Sequence, residues 1–192
     1  MPPKAKFSKD EVICAALRIV ERDGEDRLTA RSLGAELGSS ARPVFTVFNN
    51  MDEVFAAVVS RANAVYGEYV EEGLKETPSF KGVGKAYIRF AAERPRLFRL
   101  LFMREREDCP DMNTALRLIE EHYNDILYSI TNTYSVDEDT AKQLYFHSWV
   151  YSHGIAVLTA TKVCRFSEEE VSAALTVNFG ALIGKIKTEG NL

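Results

Sequence analysis

Two short helical stretches meet at Gly38, and that junction restricts the fold more than any other feature of the chain. The segment Leu28–Phe48 reads LTARSLGAELGSSARPVFTVF. Thr29 can cap a first helix whose Leu33 and Leu37 face inward, and Gly38 can end it in a left-handed conformation. Ser40 can cap a second helix, with Val44 and Val47 returning its apolar face. Gly34 is small where the two must approach closely. This is a helix-turn-helix, a unit that places the N-terminal part of its second helix in the DNA major groove.

Arg42 and Pro43 then fall near the second and third positions of that helix. Proline costs little there, because first-turn N–H groups have no partner inside the helix. Its ring offers an apolar face to a thymine methyl, and arginine can take guanine bidentately or hold a phosphate. The composition suits a reading head.

The flanking sequence is helical throughout. Ser8–Glu11 fits a capping box ahead of Val12, Ile13, Ala16, Leu17 and Val20, which end at Gly24. Asn50–Glu53 opens a long helix to about Leu74. Another runs from about Phe80 to Glu93, and Pro95 breaks the chain before the short apolar run RPRLFRLLFM. Past the charged loop REREDCPD, helices are expected at about 111–131, 137–162 and 168–187. No strand pattern stands out, so the fold class is all-α.

The order and spacing of residues 6–66 resemble the TetR family of bacterial transcriptional regulators. The diagnostic parts are Leu28–Thr29, Leu33, Leu37–Gly38, the Phe45 and Phe48 pair, and Asp52–Glu53. The resemblance implies a three-helix helix-turn-helix DNA-binding domain over 6–66 and a helical effector-binding and dimerisation domain over 67–192. Three departures bear on DNA contact. Ser39 stands where the family usually has valine, Phe45–Thr46–Val47–Phe48 replaces Tyr-x-His-Phe, and Met51 replaces a frequent lysine. The phosphate-binding tyrosine hydroxyl therefore has no counterpart. The expected DNA contacts are Lys4, Lys6, Thr29, Arg31, Ser40, Ala41, Arg42, Pro43, Phe45 and Thr46, with Lys9 in support.

The C-terminal part resembles the family's more variable ligand-binding domain. ERPRLFRLLF is a run common in such regulators, and Trp149–Gly154 carries the W-x-x-x-H-G pattern of one subgroup. Phe90, Phe98, Phe102, Met112, Leu116, Tyr123, Trp149 and His153 are the candidates for lining an effector cavity, which is usually apolar with few polar groups. Ser148, Ser152 and Ala156 recur at i, i+4 and i+8. Such a small-residue stripe permits close helix approach, so with Leu175, Phe179 and Leu182 it is the expected interface of a homodimer.

The charge distribution fits this division. Residues 1–50 hold eight Lys/Arg against seven Asp/Glu, leaving 16 against 21 in the remainder, a basic arm on an acidic body. Catalysis has no visible basis: there is no GxSxG, no phosphate-binding glycine loop and no metal-spaced cluster. Pairs such as Glu120–Glu121 read as solvated faces. His147 and His153, six apart, point to different sides of a helix and cannot chelate one metal locally. No cofactor is expected.

Cys14, Cys109 and Cys164 are widely spaced and form no disulfide framework, which points to the cytoplasm. No run is long and apolar enough to suggest a membrane partner. The resemblance implies a repressor occupying double-stranded operator DNA until a small apolar or aromatic effector releases it. The alternative is a helical small-molecule-binding or scaffold protein that has lost DNA affinity.

Overall fold

The computed structural model describes residues 5–105, 110 and 112–189. Lys4 and Cys109 lie outside the described residues, as does the Met112 side chain. The described residues are helical, without a strand: α1 (Lys9–Asp23), α2 (Ala30–Glu36), α3 (Met51–Leu74), α4 (Ser79–Glu93), α5 (Pro95–Phe102), α6 (Met112–Ile119), α7 (Tyr123–Tyr134), α8 (Glu138–Ala160) and α9 (Glu168–Glu189). None of these helices is long and apolar enough to cross a membrane. The chain forms two compact units, one of residues up to Val65 with 96–104, the other of 66–95 with 105–192.

Local sequence accounts for how the helices of the first unit begin and end. Ser8 and Glu11 close the expected capping box on α1, and Thr29 with Ser32 forms a second on α2. Asn50 caps α3 by accepting from the Glu53 N–H at 2.8 Å, while the Glu53 carboxylate reaches back to the Asn49 N–H at 2.7 Å. These bonds satisfy first-turn donors that have no helical acceptor. They also hold the Glu53 carboxyl below its ordinary pKa, the Asn49 N–H being the largest cause.

Beneath the caps lies one apolar core. Val12, Ala15, Ala16, Ile19 and Val20 of α1 are buried with Leu33, Val44, Phe48, Val54, Val58 and Ala62. Leu97, Phe98 and Leu100 of α5 are buried in the same unit. Arg18 and Arg22 both reach Glu36 at 3.0 Å, tying α1 to α2 across the surface. Exposed pairs of this kind are worth little individually.

In the second unit α4 packs against α7, α8 and α9. Phe80, Val83, Ala86, Tyr87, Phe90 and Ala91 supply its buried side, facing Ala141, Leu144, Tyr145, Ile155 and Ala156 of α8. Gly73 at the end of α3 meets Gly82 of α4 so closely that a Cβ on Gly73 would lie 2.7 Å from the Gly82 carbonyl oxygen. Two glycines are needed for that crossing.

The structure corrects two expected elements. The helix expected over about 111–131 is two helices, parted at Glu120–His122. Glu120 turns inward, and its Oε1 accepts the His122 N–H at 3.1 Å, taking a donor from the helical ladder. Glu120 is consequently not part of a solvated face but is 4% exposed. The second correction is that Ser40 caps no third helix. Residues Arg42–Thr46 form a single tight 3-10 turn whose preceding residue, Ala41, makes no side-chain cap. Such a turn closes i to i+3 bonds and is used in short pieces. Here it is set by its surroundings, as the geometry of the site shows.

Candidate functional site

The DNA-reading candidate is built outward from Gly38. Its φ of +62° is the left-handed region, and two bonds close α2 around it: Gly38 N–H to Ala35 O at 3.0 Å and Ser39 N–H to Gly34 O at 2.8 Å. That pair is the Schellman arrangement, which satisfies terminal carbonyls and reverses the chain. The chain then returns against α2 so tightly that a Cβ on Gly34 would lie 2.7 Å from Ala41 N. Pro43 follows with no N–H to give. Little room remains for a full α-turn, and the 3-10 bond Val44 N–H to Ala41 O at 3.1 Å forms instead.

This turn buries Val44 and leaves its reading candidates exposed or half-buried. Ser40, Arg42 and Thr46 are exposed, Ala41 and Pro43 half-buried, and Phe45 keeps 42% of its surface in solvent. The Thr46 hydroxyl donates to the Pro43 carbonyl at 2.6 Å, which stiffens the turn. Lys6 donates from Nζ to Ser39 Oγ at 3.0 Å, so the basic arm reaches the glycine turn. Lys9 pairs with Glu53 at 3.4 Å and lies over the Phe48 ring. Thr29 spends its hydroxyl on capping α2, and Arg31 is exposed in that helix's first turn.

The second unit holds a separate cavity of about 420 Å³. Tyr66, Phe80, Tyr87, Tyr134, Tyr145, Trp149 and Phe179 line it with Val83, Leu175 and Ile183. Glu120, Ser148 and Ser152 bring polar groups, and Lys81 also lines it. The Tyr66 hydroxyl donates to Glu120 Oε2 at 2.6 Å. Burial pushes the Glu120 carboxyl above its ordinary pKa despite that bond. Burial first, then the Glu120 charge, holds the Tyr66, Tyr87 and Tyr145 phenols well above theirs.

Most expected lining residues lie elsewhere. Among those whose side chains are described, only Trp149 lines this cavity. Phe98 and Phe102 belong to the first unit, their rings 5.4 Å apart. Phe90 packs between Tyr66 and Tyr69 at 5.3 and 5.2 Å, Leu116 is buried, and Tyr123 lies against Tyr145 at 5.6 Å. His153 takes a structural place, its Nδ1 2.8 Å from the Tyr87 hydroxyl and its ring stacked on Trp149. Burial lowers its pKa.

The expected dimer stripe is also displaced. Ser148, Ser152 and Ala156 are buried within the chain, and both serines line the cavity with Leu175 and Phe179. Their spacing gives one helix face, and that face points inward. Leu182 is half-buried. What the sequence reading missed is Glu120, Tyr66, Phe80 and Tyr145. Phe80 and Tyr145 carry a signal, large aromatics on the apolar faces of their helices. Glu120 carries none, because its partner Tyr66 is 54 residues away.

Comparison with known proteins bears on the family and the fold. Residues 80–179 match the family described as "Tetracyclin repressor-like, C-terminal domain", which is more than half of the chain. No curated protein sequence matches the chain. Among solved structures, it is similar to a transcriptional regulator from Rhodococcus sp. RHA1, at TM-score 0.64 and 14% identity, covering 93% of this chain and 97% of that one. A TetR-like transcriptional regulator from the same organism gives TM-score 0.63 at 14% identity, covering 96% and 100%. The fatty acid degradation regulator FadR of Bacillus halodurans gives 0.58 at 16%, covering 96% and 99%. At these identities the structures show a shared fold. The matched C-terminal domain, on an all-helical chain with this glycine turn, makes the chain a member of the TetR family of DNA-binding transcriptional regulators.

Proposed function

We propose that the chain is a homodimeric repressor that leaves its operator when a small, largely apolar or aromatic effector fills the cavity of the second unit. The cavity is the observation that carries this reading. At about 420 Å³, with aromatic walls and few polar groups, it has the size and lining of small-molecule sites. In the first unit, the exposed Arg42, Phe45 and Thr46 are the reading residues, with Lys6 holding phosphate. Arginine suits a guanine edge, and Phe45 and Pro43 suit thymine methyls.

The dimer interface in this reading is the outward face of α8 and α9. Val150, Tyr151, Gly154 and Leu158 are exposed at helical spacing on α8, as are Val177, Gly180, Ala181 and Gly184 on α9. Side chains added at Gly154, Gly180 or Gly184 would meet nothing within 4 Å in the single chain. Exposed apolar faces of this extent mark association surfaces.

Fluorescence anisotropy with duplex DNA from upstream of the chain's own gene tests the core of the proposal. Binding should be sequence-selective over a shuffled duplex and should weaken steeply with salt, as phosphate contacts require. Equal affinity for both duplexes would remove operator recognition from the reading.

A further inference from the structure

The ligand's chemistry can be narrowed further, on the reading that the cavity of the second unit is the effector site. One carboxylate reaches that cavity, Glu120, and it is 4% exposed. Its hydrogen-bond donors are a phenol and a backbone N–H, Tyr66 at 2.6 Å and His122 at 3.1 Å. Neither donor group carries a charge; the His122 ring, when protonated, favours the ionised carboxyl from nearby, and it faces Asp125 at 3.6 Å. Burying a carboxylate with no cation bonded to it is costly. Lys81 also lines the cavity but is only half-buried, and it is not among the groups that shift the Glu120 carboxyl.

Two more residues that line the cavity, Tyr145 and Ser148, carry hydroxyls. Tyr145 Oη and Ser148 Oγ are buried without a hydrogen-bond partner, although buried polar atoms are almost always paired. Much of the remaining wall is aromatic, with Phe80, Tyr87, Trp149 and Phe179 among its rings, and Thr176 and Asn178 add neutral polar side chains. An anionic ligand would meet the Glu120 charge and the negative faces of these rings. A purely apolar ligand would leave the Tyr145 and Ser148 hydroxyls unpaired and bring Glu120 no further donor. An ammonium has only donors to give, so the carboxylate and both hydroxyl oxygens can accept from it, and ring faces attract it.

We propose that this cavity binds a protonated amine on an aromatic or alkyl body, with the ammonium directed at Glu120 and the body among the rings. A cation at that position also favours the ionised carboxylate, so ligand and charge stabilise each other.

Three probes sharing one body separate the possibilities: phenylhexylamine, phenylhexanol and phenylhexanoate. Trp149 is the chain's one tryptophan and lines the cavity, so its fluorescence reads binding to the full chain without DNA. The amine should bind at least tenfold more tightly than the alcohol, with the acid weakest. In Glu120→Gln the amine should lose its advantage over the alcohol. An alcohol or acid that matches the amine on the parent chain overturns the proposal, whether or not the variant folds. So does an amine preference that survives Glu120→Gln, or an amine that does not bind. The anisotropy assay with the upstream duplex separates this from the regulatory reading. Release of DNA by the acid or alcohol but not the amine overturns the ligand class and leaves effector control standing. Glu120-dependent amine binding without DNA release supports the ligand class and removes effector control.

Discussion

Arg42 and Glu120 are charged residues in opposite surroundings, the first exposed on a turn and the second buried beside a cavity. Arg42 follows a glycine turn and precedes a proline, so its place on an exposed turn follows from its neighbours in sequence. Arg42→Ala should cost roughly 1–3 kcal/mol of specific binding and relax the base preference at one position. Lys6→Ala should weaken all sequences alike and lower the salt slope by about one. Anisotropy on matched and shuffled duplexes across a salt series measures both. If Arg42→Ala weakens both duplexes equally, Arg42 holds phosphate and reads no base. Glu120, by contrast, has an acidic neighbour in sequence and a phenol from a distant helix in space. Its raised pKa fixes a further outcome. Between the ordinary value of 4.5 and the raised folded value, the folded chain binds more protons than the unfolded one. Stability therefore falls as pH rises through that window. Glu120→Gln cannot ionise, so its melting temperature relative to the parent should improve from pH 4 to pH 7. A difference independent of pH would show that the carboxyl titrates alike in both states.

At the scale of elements, helix starts were readable and helix continuity was not. Ser8, Thr29 and Asn50 announce their helices because a cap is settled within four residues. The apolar pattern of Met112, Leu116, Tyr123 and Ile130 gives no notice of the break between α6 and α7, since a buried carboxylate makes it. The reading turn lies between these cases. Its position follows from Gly38, but its 3-10 form depends on how closely the chain returns over Gly34. Gly34→Ala should therefore shift the turn and destabilise the chain by about 1–3 kcal/mol, the usual cost of overpacking. Gly38→Ala should cost about 1 kcal/mol, from its left-handed φ alone. Chemical denaturation measures the first cost against the second. Operator affinity should fall for Gly34→Ala in conditions where the variant is fully folded. An unchanged affinity would mean that the turn's placement against α2 does not govern reading.

On the scale of the whole molecule, a small-residue stripe proved ambiguous. Ser148, Ser152 and Ala156 have the spacing of a packing face, but sequence periodicity cannot say whether that face meets a second copy or the chain's own interior. The outward faces of α8 and α9 are the alternative, and Gly154→Arg would place a charge at the centre of one of them. Sedimentation should then show monomers, because an unpaired charge buried at an interface is strongly unfavourable. A full dimer would put the interface elsewhere. The remaining expectation concerns coupling between DNA and ligand. Helix α3 supplies residues up to Val65 to the first unit and from Tyr66 onward to the second. Tyr66 is also a wall of the cavity and the donor to Glu120. A ligand that engages Glu120 thus acts on the residue at which α3 passes from one unit to the other. It can shift the chain between states only through unequal affinity for them. Linkage then requires symmetry: if ligand lowers operator affinity, operator lowers ligand affinity by the same factor, typically about 5–150-fold. Titrating ligand against Trp149 fluorescence with and without saturating operator gives one factor. Titrating operator with and without saturating ligand gives the other. Tyr66→Phe should reduce both factors together, because it removes the bond to Glu120 and leaves the aromatic wall in place. Two factors that agree and shrink together would identify α3 as the coupling element. Ligand affinity that is the same with and without operator would leave a DNA-binding regulator with an uncoupled cavity.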